Sequence, residues 1–268
     1  AGTTDGELFL SSDSGASWTI QPSAKILGSW QSLSLSHTGQ YMAATASTTQ
    51  ITPNQTSLAA ATWTQNGVTW TVSTSSTQSG IQAYWIFNNA TQDWATNGGY
   101  NTSTGAVISS YSTTIQGIGT IQGEWFQIQS FLPLILQSYT YTSPYVVTRL
   151  PKTYYIVGST DGSTWYPLQY VNMTTNPFTT TFTPATSYIQ MNYTGTQTIQ
   201  GNQTGQGATT AYSYTTNAYT YFRVVVTSIY PSNDNYMGVG EFYPIFTNGS
   251  SYSTNSGASW NASGSVSA

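Results

Sequence analysis

Three stretches of the chain concentrate apolar, β-branched and aromatic side chains in short runs. They are Trp125-Phe126-Gln127-Ile128-Gln129, Tyr154-Tyr155-Ile156-Val157-Gly158 and Tyr221-Phe222-Arg223-Val224-Val225-Val226. In the third, Phe222, Val224 and Val226 fall on one face and Tyr221, Arg223 and Val225 on the other, as side chains alternate along a strand. The stretches are short, rich in β-branched and aromatic residues, and bounded by Gly, Pro, Asn and Ser, which predicts strands of a packed sheet. No segment sustains a helical period, so the pattern predicts an all-β fold.

Residues 1 to 50 carry a different pattern. Glu7 to Leu10 and Trp18 to Ile20 read as strands around Ser11-Ser12-Asp13-Ser14-Gly15-Ala16-Ser17-Trp18, and residues 30–36 and 41–45 read as two more. In the turn the aspartate can accept bonds from backbone amides, the glycine permits a positive φ, and the tryptophan is expected to pack back on the hairpin. The same turn recurs as Ser253-Thr254-Asn255-Ser256-Gly257-Ala258-Ser259-Trp260, with Asn255 in place of Asp13. Both stretches resemble the Asp-box of sialidase-type propeller repeats. The expected organisation is therefore a propeller-like unit over 1–50, a β-sandwich over 51–247 and the start of a second Asp-box unit over 248–268. Such units need neighbours to bury their faces. The Ser/Thr/Gln/Asn/Pro-rich run after Ala46 reads as the linker, Gly67 to Val72 as the first sandwich strand, and residues 188–218 as a polar surface excursion.

Four further motifs appear in order: Gly123-Glu124-Trp125-Phe126, Gly158-Ser159-Thr160-Asp161-Gly162-Ser163-Thr164-Trp165, Tyr221-Phe222-Arg223-Val224 and Val239-Gly240-Glu241-Phe242. With Ala83 to Asn89 and Trp94 upstream they resemble the discoidin domain, the C-type module of coagulation factors. Gly98 to Ala106 is similar to versions in surface and capsid-associated proteins of large DNA viruses. The resemblance implies a discoidin-like jelly-roll sandwich inserted between the propeller-like units. It also implies a structural calcium held around Asn88, Asp93 and Glu241, although Asn88 stands where an Asp is usual. Ligand contacts in such sandwiches come from loops at one end, which points to Trp85, Tyr100 and Tyr145. Trp94 reads as core.

Composition narrows the function. Only 4% of the 268 residues are charged and the net charge is −4, with Lys25, Arg149, Lys152 and Arg223 the sole cations. Nucleic-acid binding needs clustered Lys and Arg and is not expected. No apolar run approaches the ~20 residues of a spanning helix, so no membrane insertion is expected. There is no cysteine, hence no disulfide or thiolate metal site. Asn54, Asn89, Asn101, Asn172, Asn192, Asn202, Asn248 and Asn261 each begin an Asn-x-Ser/Thr acceptor motif, which as a group suits a virion surface or extracellular protein.

An enzyme is not expected. His37, the single histidine, lies in a polar turn, no Gly-x-Ser-x-Gly elbow is present, and two arginines in the whole chain are too few for a sialidase. The leading expectation is a non-enzymatic structural or attachment glycoprotein that self-assembles or joins other virion or surface proteins and presents glycan-binding loops. The alternative is a secreted carbohydrate-binding module of a larger protein. A glycoside hydrolase is the third reading, since two carboxylates distant in sequence can meet in a fold.

Overall fold

The structure is a computed structural model. It describes the chain except residues 5, 22–25, 27–28, 47–49, 91, 143, 145, 174–187, 193–196, 201–206, 212–217, 249, 257–260 and 264–268. In chain order the strands are β1 (Phe9–Leu10), β2 (Thr19–Ile20), β3 (Trp30–Leu35), β4 (Met42–Ala46), β5 (Thr62–Gln65), β6 (Val68–Thr74), β7 (Trp94–Gly99), β8 (Ser112–Ile115), β9 (Gly119–Gln122) and β10 (Glu124–Thr142). They continue as β11 (Pro151–Ser159), β12 (Tyr166–Met173), β13 (Tyr188–Asn192), β14 (Gln197–Gln200), β15 (Gly207–Ala211), β16 (Tyr219–Ile229), β17 (Tyr236–Val239), β18 (Phe242–Asn248), β19 (Ser250–Ser253) and β20 (Asn261–Ser263). The helical content of the described residues is two 3-10 turns, Ala83–Phe87 and Val147–Arg149. The expectation of an all-β chain holds.

The strand β10 builds the sandwich by serving both layers. Its first part, Glu124 to Ser130, lies between β6 and β16, whereas Leu134 to Tyr141 pairs with β18 and Ser138 to Thr142 with β13 on the other side. Between them Phe131 is 65% exposed, and Pro133, which has no N–H to give a ladder, sits in the break of register from Gln129 to Leu134. The chain thus passes from one layer to the other within one strand. The first layer continues from β16 through β11 and β12 to β15, with β5 beyond β6, and the second continues from β13 to β14.

The inward faces meet through rings. Phe126 lies 5.3 Å from Phe242, Trp70 lies 5.4 Å from Phe246, and Phe222 lies 4.7 Å from Phe246, each pair joining the two layers. Phe222, Val224 and Val226 are all in this core, as their alternation predicts. Tyr139, Tyr154 and Gln169 carry a polar chain through it, with Tyr139 Oη donating to Gln169 Oε1 at 2.7 Å and the two phenols 3.2 Å apart. Burial pushes the Tyr154 phenol well above its ordinary pKa, so it stays a neutral hydrogen-bonding group.

The opposite face of the first layer is covered too. The β8–β9 hairpin brings Ile115 against Val157, Trp165 and Val225. Here the Arg223 guanidinium sits between two indoles, 4.0 Å from the Trp125 ring and 4.1 Å from the Trp165 ring. Its nitrogens donate to Gln127 Oε1 and Thr113 Oγ1.

The two chain ends share a sheet of order β20-β19-β4-β3, separate from the sandwich. The turn at residues 11–18 forms largely as its residues require. Asp13 accepts from Ser17 N at 2.8 Å and from the Ser11 and Ser17 hydroxyls, and Gly15 takes φ 91°. These bonds hold the exposed Asp13 carboxyl down at about 2. Trp18, however, is 52% exposed. It lies over Gly15 but keeps half its surface in solvent.

Candidate functional site

Two features stand at opposite ends of β17. At its start an open groove of about 780 Å³ is lined by Val146, Thr148, Ser232, Asn233, Asp234 and Tyr236, among others. At its end lies the buried Glu241.

The groove is shaped by a polar turn. In Pro231-Ser232-Asn233-Asp234-Asn235-Tyr236, Ser232 Oγ accepts from Asp234 N at 3.2 Å, and Asp234 Oδ1 accepts from Tyr236 N at 3.0 Å. This local bonding is what Ser and Asp offer a turn in place of a strand ladder. The facing wall is the 3-10 turn that carries Arg149. Gly238 allows the approach, since a Cβ there would stand 3.1 Å from Pro144 Cβ and 3.4 Å from Arg149 Cβ.

Across the groove Arg149 Nε and Nη2 both reach Asp234 Oδ2 at 2.7 Å. The guanidinium carbon sits 4.9 Å from the Tyr236 ring centroid, and Nη1 points to Gln78 Oε1 at 3.5 Å. The two charged side chains are 16% and 20% exposed, so the pair is fixed yet still accessible. An aromatic ring, side-chain amides, hydroxyls and the Asp234 carboxylate that Arg149 holds then line one opening. Such a set suits a neutral polyhydroxylated ligand, with the Tyr236 ring offering a flat face and the amides and carboxylate fixing hydroxyls.

At the other end Glu241 is 3% exposed. Its Oε1 accepts from Ala90 N at 3.1 Å, and Asn54 bonds the same carboxyl. Burial raises this carboxyl to about 8. Glu241 Oε2, Asn54 Oδ1 and Gln55 Oε1 are buried oxygens without a hydrogen-bond partner among the described residues. Asn88 is buried, but its Oδ1 already accepts from Ala90 N and its Nδ2 donates to Gln92. Asp93 is half-buried. Among the described residues no three His, Cys, Asp or Glu side chains cluster.

The candidate ligand-contact residues separate. Tyr100 is 1% exposed and its hydroxyl donates to Val226 O at 2.9 Å. It is a core residue with no face to offer, which corrects its expected role. Trp85 is half-buried in the 3-10 turn Ala83–Phe87, away from the groove lining. Tyr145 lies outside the described residues. Trp94 is fully buried, as read.

Among the acceptor asparagines, Asn54 is corrected. It is 8% exposed with Nδ2 bonded to Phe242 O, and a buried amide cannot carry a glycan. Asn89 and Asn101 are exposed, Asn172 and Asn248 half-buried. Asn192 and Asn261 lie in strands β13 and β20, and Asn202 lies outside the described residues. Arg149, Asn233 and Tyr236 were not singled out by the sequence. The one signal for them was the dense run of turn-forming residues at 231–235.

No protein-family model matches the chain, and no match is found among curated proteins. Solved structures show similarity over part of it. A module from Clostridium perfringens, CpGH89CBM32-5 in complex with GalNAc-β-1,3-galactose, aligns with TM-score 0.36 and 8% identity over 65% of this chain and 94% of that one. The family 32 carbohydrate-binding module of NanJ from C. perfringens, in complex with galactose, gives 0.35 and 9% over 66% and 93%. The corresponding module of AlyQ, in complex with 4,5-unsaturated mannuronic acid, gives 0.33 and 8% over 65% and 92%.

Proposed function

We propose that this chain is a non-catalytic carbohydrate-binding β-sandwich that takes a sugar in the groove between residues 146–149 and 231–236. The observation that carries the reading is the Arg149–Asp234 pair held beside Tyr236 in an open, amide-lined groove. Among the described residues a single carboxylate lines that groove, and it is tied to Arg149, whereas glycoside hydrolysis canonically uses two flanking the bond. The setting of the module as a virion-surface or fibre glycoprotein, with propeller-like Asp-box units at the ends, rests on the sequence resemblance. A secreted module of a larger protein uses the groove in the same way.

In a glycan-array screen followed by calorimetry, saturable binding of a neutral sugar is expected. Tyr236→Ala should weaken it about tenfold, a loss on the order of 1.4 kcal/mol. Equal affinity of wild type and variant would place the sugar elsewhere.

We also propose a structural calcium beside Glu241. The unpartnered oxygens of Glu241 and Asn54, two side chains that bond each other, are the ligand type a hard cation takes, and the single carboxylate fits weak binding, on the order of 10⁻⁴–10⁻³ M. Bound there, the ion would hold the carboxylate ionised and fix the loop of Asn88 and Ala90 against β18. Without calcium, Glu241 keeps its proton in the fold to about 8 while the unfolded chain releases it near 4.5. Stability is then fully present below about 4.5 and falls as pH rises from 4.5 to 8, because the folded state binds more protons than the unfolded. The urea midpoint in chelator should drop between pH 5 and pH 8, and millimolar calcium should restore it at pH 8. Glu241→Gln should remove both effects; a calcium response that survives in the variant would contradict the site.

A further inference from the structure

The two terminal hairpins are the same construction built twice. Phe9 pairs with Ile20 and Leu10 with Thr19; 242 positions later Ser251 pairs with Ala262 and Tyr252 with Asn261. Ser11 Oγ donates to Asp13 Oδ1 at 2.8 Å as Ser253 Oγ donates to Asn255 Oδ1 at 2.9 Å. Ser14 and Ser256 take φ of 58° and 56°. The correspondence extends to a third strand. Ser251 pairs across with Ala44 of β4, and at the matching place Phe9 exchanges both backbone bonds with Ala1, at 2.7 and 2.8 Å. Ala1 and Gly2 therefore stand against the first hairpin where β4 stands against the second.

The sandwich is accordingly inserted inside one four-stranded unit, between its second strand β4 and its third strand β19, whereas the sequence alone suggested insertion between successive units. The first hairpin repeats the β19–β20 hairpin of that unit, and it is docked on the sheet. Leu8, 2% exposed, packs on Ala44, 0% exposed, with Trp30 and Met42 around them, and Trp30 Nε1 donates to Gly6 O at 3.2 Å. Beside this contact the face stays apolar and open. Leu33, Leu35 and Trp18 are 40%, 61% and 52% exposed, and with Leu10 and Met42 they line a cleft of about 180 Å³. Residues 26–46 contain no Lys, Arg, Asp or Glu, so no charge discourages a like surface from approaching.

We propose that the four-stranded sheet is a stacking module whose partner is another copy of the same unit, docked by its trailing hairpin as β1–β2 docks here. An in-register fusion tests it: residues 1–262 followed directly by 21–268, which makes the β19–β20 hairpin of the first copy lead into β3 of the second. Where Leu8 makes the buried contact in the first hairpin, the second has Ser250, so a Ser250→Leu form is made alongside. The expected result is a melting transition of the terminal sheets, followed by tryptophan fluorescence, above that of the single chain, and higher still with Ser250→Leu. A native-sequence fusion that melts with the single chain overturns the proposal, whatever the Leu form does. In the single chain, Leu8→Asp should speed amide exchange at Ala43 to Thr45 at least tenfold while leaving Phe126 to Gln129 unchanged. Unchanged exchange at Ala43 to Thr45 would equally overturn it, and this readout does not depend on the fusion folding.

Discussion

Phe242→Ala is expected to lower stability by about 3–5 kcal/mol, as truncations of large buried rings do. Phe242 is 5% exposed and its ring touches both layers and the early loop: Tyr139 at 5.2 Å, Phe126 at 5.3 Å and Phe87 at 6.3 Å. Removing it leaves facing rings on β10 and the 3-10 turn Ala83–Phe87 without a common neighbour, and the two layers cannot close the gap because β10 fixes their spacing. The urea midpoint of the sandwich measures this. Phe131→Ala, at a ring 65% exposed in the bend of β10, should change stability by no more than about 0.5 kcal/mol. Equal losses for the two would contradict the assignment of the inter-layer core.

The second large effect is expected at Arg223. Each indole face is worth roughly 0.5–2 kcal/mol to a partly desolvated cation, and hydrogen bonds to a charged group contribute about 1.5–3 kcal/mol. Against these stands desolvation, which lowers the Arg223 pKa to about 10. Arg223→Ala should cost about 3 kcal/mol, since it separates Trp125 from Trp165 and deprives Gln127 and Thr113 of their donor. Arg223→Lys should recover part of the cation–π contact but not the fork to Gln127. Amide exchange of the β8–β9 hairpin, which closes over this stack, should rise in the Ala variant. A hairpin that stays equally protected would show that Arg223 does not hold it.

The parts of the fold that could be read from the residues are those governed by local periodicity. The alternation in 221–226 placed Phe222, Val224 and Val226 inward, and the Asp13 turn was fixed by side chains that bond within a few residues. The 19-residue run of β10 was read only as Trp125 to Gln129. The apolar stretch from Phe131 to Leu136 hides the alternation, and Pro133 reads as a strand breaker although it sits at the unpaired bend. Tyr100 read as a loop contact, yet a phenol can be drawn into a core where its hydroxyl finds an acceptor such as Val226 O. The groove was not legible because its members belong to segments about 85 residues apart, Arg149 and Asp234, and no local pattern announces a meeting that β17 and the 3-10 turn Val147–Arg149 arrange.

The central claim is that the groove, and not the loop near Trp85, receives the sugar. Backbone amide chemical-shift mapping of the isotope-labelled chain, titrated with the best neutral glycan from the array, tests it most directly. The account predicts saturating shifts concentrated at residues 146–149 and 232–236, absent in Tyr236→Ala. Shifts concentrated at 83–89, or none at saturating glycan, would contradict it.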